Sequence, residues 1–203
     1  MFVKPPKLIQ KIYPSLVWKI HTLKKEVWLT FDDGPDPEVT PWILQILKKH
    51  NIKATFFLIG KEIDKYPSIV EYIKKGNHIV GNHSYSHING WLYSTKTYIK
   101  DVNKCQELMP KNILFRPPYG KITPWQIRCL KNNYKLILWD ILAYDFKKEI
   151  KAKDVKKNVL NNVNRGSIVT LHNNQKSWTT LQQTLEELII QIKNKGFSFS
   201  NTW

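Results

Sequence analysis

Short β-rich apolar runs alternate with stretches of helical periodicity along the chain. Residues 27–31 read as a strand ended by the turn residues Asp32-Asp33-Gly34-Pro35. Further strands are predicted at 55–59, 78–81, 113–115, 136–139, 167–171 and 197–199. Between them, Thr40-Pro41 reads as an N-cap with proline at the first helical position, opening a helix to residue 47. Other helices are expected at 67–75 before Gly76, from Ser94 towards 109, from Thr123-Pro124 to 130, at 152–163, and at 178–195 before Gly196.

This makes seven βα-like units with no linker, composition break or short internal repeat. Alternating strands and helices imply a parallel sheet. Seven strands in one domain suit a distorted (β/α) barrel, with a doubly wound sheet as the competitor. Before this pattern, Leu8, Ile12, Leu16 and Ile20 form an i, i+4 stripe interrupted by Pro14 and flanked by lysines. Residues 1–25 are expected to be an arm packing on a domain of residues 26–203. A helix lying on a membrane surface is the alternative reading of that stripe.

Composition narrows the class. The 203 residues, 42% hydrophobic and 12% aromatic, are enough for a proper core and exclude a disordered chain. Cys105 and Cys129 cannot make a disulfide framework and are read as free thiols. No apolar run approaches the ~18 residues of a membrane span. The best leader candidate, residues 12–18, contains Pro14, lies between Lys11 and Lys19, and lacks a small-residue cleavage site. Sequence alone therefore points to the cytoplasm. The net charge of +16 would suit nucleic acid or an anionic polymer, but Arg116, Arg128 and Arg165 are the only arginines among 32 basic residues. Lys, Asn and Ile share AT-rich codons, so genome composition accounts for much of the charge, and no nucleic-acid partner is expected.

The unusual polar residues fall at strand ends. Asp32 and Asp33 follow the first strand, His83 and His87 the third, Arg116 the fourth, Asp145 the fifth and His172 the sixth. In parallel α/β folds these ends face one side, where sites are assembled. On a helical turn, the two imidazoles of His83-Ser84-Tyr85-Ser86-His87 share a face and can grip one ion. A carboxylate would complete a catalytic ligand set with open positions. The intervening Ser-Tyr-Ser supplies no general base, whereas the Asp32-Asp33 pair offers both a ligand and a base. Taken alone, Asp-Asp-Gly-Pro is also an ordinary turn.

Together, Thr30-Phe31-Asp32-Asp33-Gly34-Pro35, the His83–His87 run, Arg116-Pro117-Pro118-Tyr119-Gly120, the Asp145 region and Leu171-His172 resemble the ordered motifs of the polysaccharide deacetylases. These are the NodB-homology domains of carbohydrate esterase family four. The resemblance covers about residues 26 to 200. It implies a distorted barrel and metal-dependent removal of N-acetyl groups from an N-acetylglucosamine polymer, peptidoglycan or chitin-like. O-acetyl release from xylan is a less common activity of the family. It also implies that Asp32 is the base, oriented by Arg116. Asp33, His83 and His87 would hold a divalent metal, commonly zinc. His172 would be the acid, with Asp145 as partner, and the Tyr119 N–H would help form an oxyanion hole. Leu171 would line the acetyl pocket, Phe146 would supply an apolar wall, and Trp91 is a candidate sugar platform. Trp18, Trp28, Trp42, Trp125, Trp139 and Trp178 are read as packing.

The chain departs from the family pattern at Leu142, where many members have Asp, at Phe146, where many have Trp, and at Asn173, which replaces an Asp. None of these changes removes an implied catalytic group. A sugar-binding pseudoenzyme is the competing reading. The implied partner is a carbohydrate polymer rather than a membrane, and such substrates usually lie in the cell envelope, outside the cytoplasm.

Overall fold

The alternation of strands and helices folds into one curled parallel sheet wrapped by helices, seen in a computed structural model describing residues 2–203. Its strands are β1 (Leu16–Val17), β2 (Glu26–Asp33), β3 (Thr55–Leu58), β4 (Ile79–Asn82), β5 (Leu114–Phe115), β6 (Lys135–Ile137), β7 (Ile141–Leu142), β8 (Ile168–His172) and β9 (Ser198–Phe199). The helices are α1 (Lys7–Ile12), α2 (Val39–Lys49), α3 (Gly60–Lys65), α4 (Pro67–Lys75), α5 (Thr95–Glu107), α6 (Pro124–Leu130), α7 (Ala152–Leu160) and α8 (Trp178–Asn194). The sheet runs β1-β6-β5-β4-β3-β2-β8-β7, with β9 added beside β2. Among the described residues this is a distorted barrel with nine strands rather than the seven expected.

The two additional strands are two residues long and carry no periodic signal. Pro14 splits the apolar stripe of the first residues. Before it lies the short α1, with Leu8 and Ile12 exposed. After it, Leu16 is buried and β1 pairs in parallel with β6. Lys19 then bridges Ser167 just before β8, and the Ile20 N–H donates to the Gly166 carbonyl at 2.9 Å. The segment expected as an arm thus supplies a strand and draws the two ends of the sheet together. No helix among the described residues is long and apolar enough to cross a membrane.

Side-chain alternation along β2 organises the interior. Val27, Leu29 and Phe31 point to the helical shell, where Phe31 stacks on Phe56 with centroids 5.1 Å apart. Trp28 points inward and joins Phe57, Leu114, Ile137 and Ile168 in an apolar floor. Burying each such side chain contributes about 1.5–3 kcal/mol. Above the floor lie Thr30 and Thr170, their hydroxyls 3.1 Å apart, and above these Asp32 and His172. The strand pattern therefore sets a polar layer at the C-terminal mouth of an apolar barrel.

Helix starts follow local chemistry. The Ser94 hydroxyl accepts from the Thr97 N–H, and Thr123 forms a capping box with Gln126. At α2 the expected Thr40 cap is replaced. The Asp36 carboxylate accepts from the N–H groups of Glu38 and Val39, at 2.9 and 2.8 Å, and α2 begins at Val39. Pro41 then occupies the first turn, where a missing N–H costs nothing.

Candidate active site

Asp32 and Asp33 end β2 and point different ways. Asp32 is buried inside the barrel, and its Oδ1 accepts from Arg116 Nη1 at 2.6 Å. Arg116 is 0% exposed. It also donates to the Thr30 hydroxyl at 2.8 Å and the Leu138 carbonyl at 2.9 Å, and its guanidinium sits 4.1 Å from the Phe57 ring centroid. The buried cation is thus paired and hydrogen-bonded, the condition under which a charge tolerates burial.

Asp33 turns towards the two histidines. Its Oδ1 lies 3.6 Å from His83 Nε2 and 3.2 Å from His87 Nε2. One ligand atom from each of the three residues falls within 4.8 Å of the others. The His83–His87 segment is a loop after β4, not the helical turn expected. The Asp101 carboxylate shapes it by accepting from the N–H groups of Tyr85 and Ser86, at 2.9 and 3.0 Å. Asp33, Ser84, His87, Tyr119 and Tyr144 all have φ between +54° and +83°. Each such non-glycine residue costs on the order of 1–3 kcal/mol, borne where the surrounding structure fixes the backbone.

The donor chemistry fits a divalent ion. His83 Nδ1 donates to the Arg116 carbonyl at 2.7 Å, which leaves Nε2 as the lone-pair nitrogen. Burial pushes His83 down to about 4, against the opposing pull of Asp32 and Asp33, so its ring is neutral near pH 7. Burial works against the Asp33 carboxylate, but the His87 hydrogen bond and the charges of His172, His83 and His87 outweigh it and hold Asp33 well below the usual range. Each ligand has an outer partner: the Arg116 carbonyl for His83, the Tyr119 hydroxyl at 3.1 Å for His87, and the Asn174 amide at 2.6 Å for Asp33 Oδ2. Two imidazole nitrogens and a carboxylate oxygen suit zinc or a similar borderline ion.

Across the cavity, His172 pairs in register with Asp32 on the adjacent strand. Its Nδ1 donates to Asp145 Oδ1 at 2.9 Å, and its backbone N–H donates to Asp145 Oδ2 at 2.8 Å. Burial would lower His172, but the Asp145 charge and hydrogen bond, with Asp33 and Asp32 behind them, raise it to about 9. The Phe146 ring meets it edge-on at 4.5 Å. A 580 Å³ cavity brings together Asp32, Asp33, His83, His87, Tyr119 and His172, with Phe146 in its wall.

Two expected residues lie elsewhere. Leu171 is 0% exposed and packs in the helical shell, because it pairs with outward-facing Phe31 while its neighbour His172 faces in. Trp91 borders a neighbouring groove rather than this cavity, because Gln126 and Ile122 hold its loop to the α6 side. Trp139, read as packing, lines the cavity with Leu142. Its position just beyond the end of β6 was the available signal. Asn174 carries no motif that would have singled it out. Asn173 is structural: its Oδ1 accepts from the Gly34 N–H at 2.8 Å, and a Cβ on Gly34 would fall 2.1 Å from Asn173 Nδ2. The remaining histidines do not line the cavity: His21 is exposed, His78 accepts from the Ala54 N–H, and His50 lies 2.7 Å from Glu186.

Comparison with known proteins points the same way. The family model described as polysaccharide deacetylase matches residues 19–133. A peptidoglycan-N-acetylglucosamine deacetylase of Bacillus cereus is 39% identical over 185 residues, covering 87% of this chain and 66% of that protein. The chain thus spans about two thirds of that relative's length. The crystal structure of the Bc1960 peptidoglycan N-acetylglucosamine deacetylase superposes with a TM-score of 0.88 at 34% identity, covering 97% of this chain and 94% of that one. BA3943 of Bacillus anthracis, a pseudoenzyme of carbohydrate esterase family four, superposes with a TM-score of 0.81 at 27% identity, covering 92% and 66%.

Proposed function

The chain belongs to the polysaccharide deacetylase family, and on that premise we propose that it is a metal-dependent hydrolase removing N-acetyl groups from N-acetylglucosamine residues of peptidoglycan. The observation that supports this most is the meeting, in one cavity, of the Asp33–His83–His87 cluster with Asp32 and His172. The names of the similar proteins support the choice of polymer.

Asp33, His83 and His87 would hold the ion, with zinc the metal we propose. Bound there, a divalent ion supplies Lewis acidity to the acetyl carbonyl and acidifies water towards a pKa of ~7. Asp32 takes the proton of the attacking water, held in position by Arg116. The tetrahedral oxyanion is met by the Tyr119 N–H in its tight turn, a donor worth about 3–4 kcal/mol. The amine must leave protonated, and His172 supplies that proton from Nε2 while Asp145 holds Nδ1. Groups of this kind typically contribute 10²–10⁴-fold each. Phe146, Leu142 and Trp139 give the acetyl end an apolar wall in place of Leu171.

Acetate release from N-acetylglucosamine oligomers tests this reading, with Asp32→Asn as the control for catalysis. Release by the wild type and its loss in the variant are expected. No release from oligomers or peptidoglycan would leave the binding-only reading.

A further inference from the structure

Residues 1–25, 72–100 and 108–139 contain none of the sixteen acidic residues of the chain. The fold gathers parts of all three segments on one side of the molecule. A groove beside the catalytic cavity has Phe2, Ile9 and Tyr13 on one wall and Trp91 and Lys121 on the other. A second hollow sets Ile12 and Tyr13 against Ile127 and Arg128 of α6 and Lys131 just after it. The Gln126 amide ties α6 to the Trp91 loop by donating to the Gly90 carbonyl at 2.8 Å.

The exposed groups on this side are apolar and basic. Helix α1 buries none of its residues: Leu8 is 68% exposed and Ile12 59%. A helix this short gains little from its own hydrogen bonds and ordinarily depends on packing an apolar face. On α6, Trp125 is 67% exposed. The same segments carry the exposed Lys7, Lys11, Arg128 and Lys131, and the Arg128 guanidinium sits 5.9 Å from the Trp125 ring centroid. Codon composition explains how many lysines the chain has, but not why acids are missing from the segments that expose these apolar groups. The helical stripe expected over residues 8–20 is not this face, since Leu16 is buried and separate segments supply the exposed side chains.

We propose that this face docks on an anionic lipid bilayer, with Leu8, Ile12 and Trp125 entering the headgroup boundary and Lys7, Lys11, Arg128 and Lys131 meeting lipid phosphates. Apolar side chains rimmed by long basic ones are what an anionic interface holds, through buried apolar area and charge together. An indole also favours the boundary between headgroups and acyl chains. A soluble polyanion would match the basic groups but give Leu8 and Ile12 no apolar surroundings. A second copy of the chain would bring like charges together. The catalytic cavity opens beside this face, because Tyr119, Trp139 and Leu142 wall both the cavity and the neighbouring groove. Docking therefore holds the catalytic mouth next to the bilayer. The inference uses no residue of the catalytic machinery and does not depend on the deacetylase reading.

The test is co-sedimentation of the full chain with vesicles of phosphatidylcholine alone and of phosphatidylcholine mixed equally with phosphatidylglycerol, at about 0.1 M salt. Binding to the anionic vesicles is expected to be at least about tenfold tighter than to the neutral ones. A Leu8→Ser, Ile12→Ser double variant and an Arg128→Gln, Lys131→Gln double variant should each bind about tenfold more weakly than the wild type. Denaturant unfolding should be unchanged in both, since all four side chains are exposed. No binding to the anionic vesicles, or equal binding to both kinds, overturns the proposal. Undiminished binding by the Leu8→Ser, Ile12→Ser variant also overturns it, leaving only attraction between charges. So does a wild-type dimer in sedimentation that this variant dissociates, which would assign the face to a second copy.

Discussion

His172 and Asp145 make two hydrogen bonds to each other, ring Nδ1 to Oδ1 at 2.9 Å and backbone N–H to Oδ2 at 2.8 Å. This pairing fixes the imidazole tautomer and raises His172 from 6.5 to about 9. A general acid must be protonated, so activity should fall as pH rises through about 9. Asp145→Asn should move that alkaline limb towards neutrality, read from kcat against pH. The sign for stability is the same. A raised histidine stabilises the fold fully below about 6.5, and that contribution is lost as pH rises to about 9. An unchanged alkaline limb in Asp145→Asn would remove Asp145 from this role.

Asp32 and Arg116 should separate catalysis from folding. Asp32→Asn keeps the shape and a hydrogen-bond acceptor but leaves the buried Arg116 without its counter-charge, so kcat should fall about 10²–10⁴-fold while stability falls less than in Arg116→Met, which also loses the bonds to Thr30 and Leu138. Arg116→Met leaves a buried carboxylate without its partner and should cost about 3–5 kcal/mol of stability. Denaturant unfolding of both variants beside their kinetics checks the contrast.

Asn174 should matter through the ion. Its amide meets Asp33 Oδ2 at 2.6 Å, while its own carbonyl oxygen accepts from the Ser177 N–H at 3.2 Å. Asn174→Ala should weaken metal affinity about 10–100-fold, the usual loss when an outer partner is removed. Chelator competition measures this without reference to turnover, and unchanged affinity would deny Asn174 the role.

Leu171→Ala should act on stability rather than on the substrate. The side chain is fully buried in the helical shell, so truncation should cost about 2–5 kcal/mol. KM should change less than in Leu142→Ala, whose side chain borders the cavity. The reverse order of KM effects would restore Leu171 to the pocket.

The Leu171 case marks the limit of what the sequence made legible. The ordered motifs identified the polar residues gathered at the barrel mouth, because strand ends in a parallel sheet share one side. Which face each residue takes depends on a period of two, and a one-residue difference moves Leu171 from pocket to shell. Pairing of Leu16–Val17 with β6 joins segments about 120 residues apart and leaves no local pattern. The loop geometry of His83 and His87 depends on Asp101, which lies on the helix that follows and folds back onto the loop with no periodic signal to announce it. Asn174 lies in a short polar run where nothing distinguishes it, and only its contact with Asp33 reveals it.

The central claim is that an ion held by Asp33, His83 and His87 enables Asp32 and His172 to deacetylate peptidoglycan. The most direct test is acetate release from purified peptidoglycan by metal-stripped protein titrated with zinc. The account predicts negligible release without metal, activity saturating near one equivalent, and no recovery in Asp33→Ala. Full activity of the stripped protein, or equal recovery in Asp33→Ala, would contradict it.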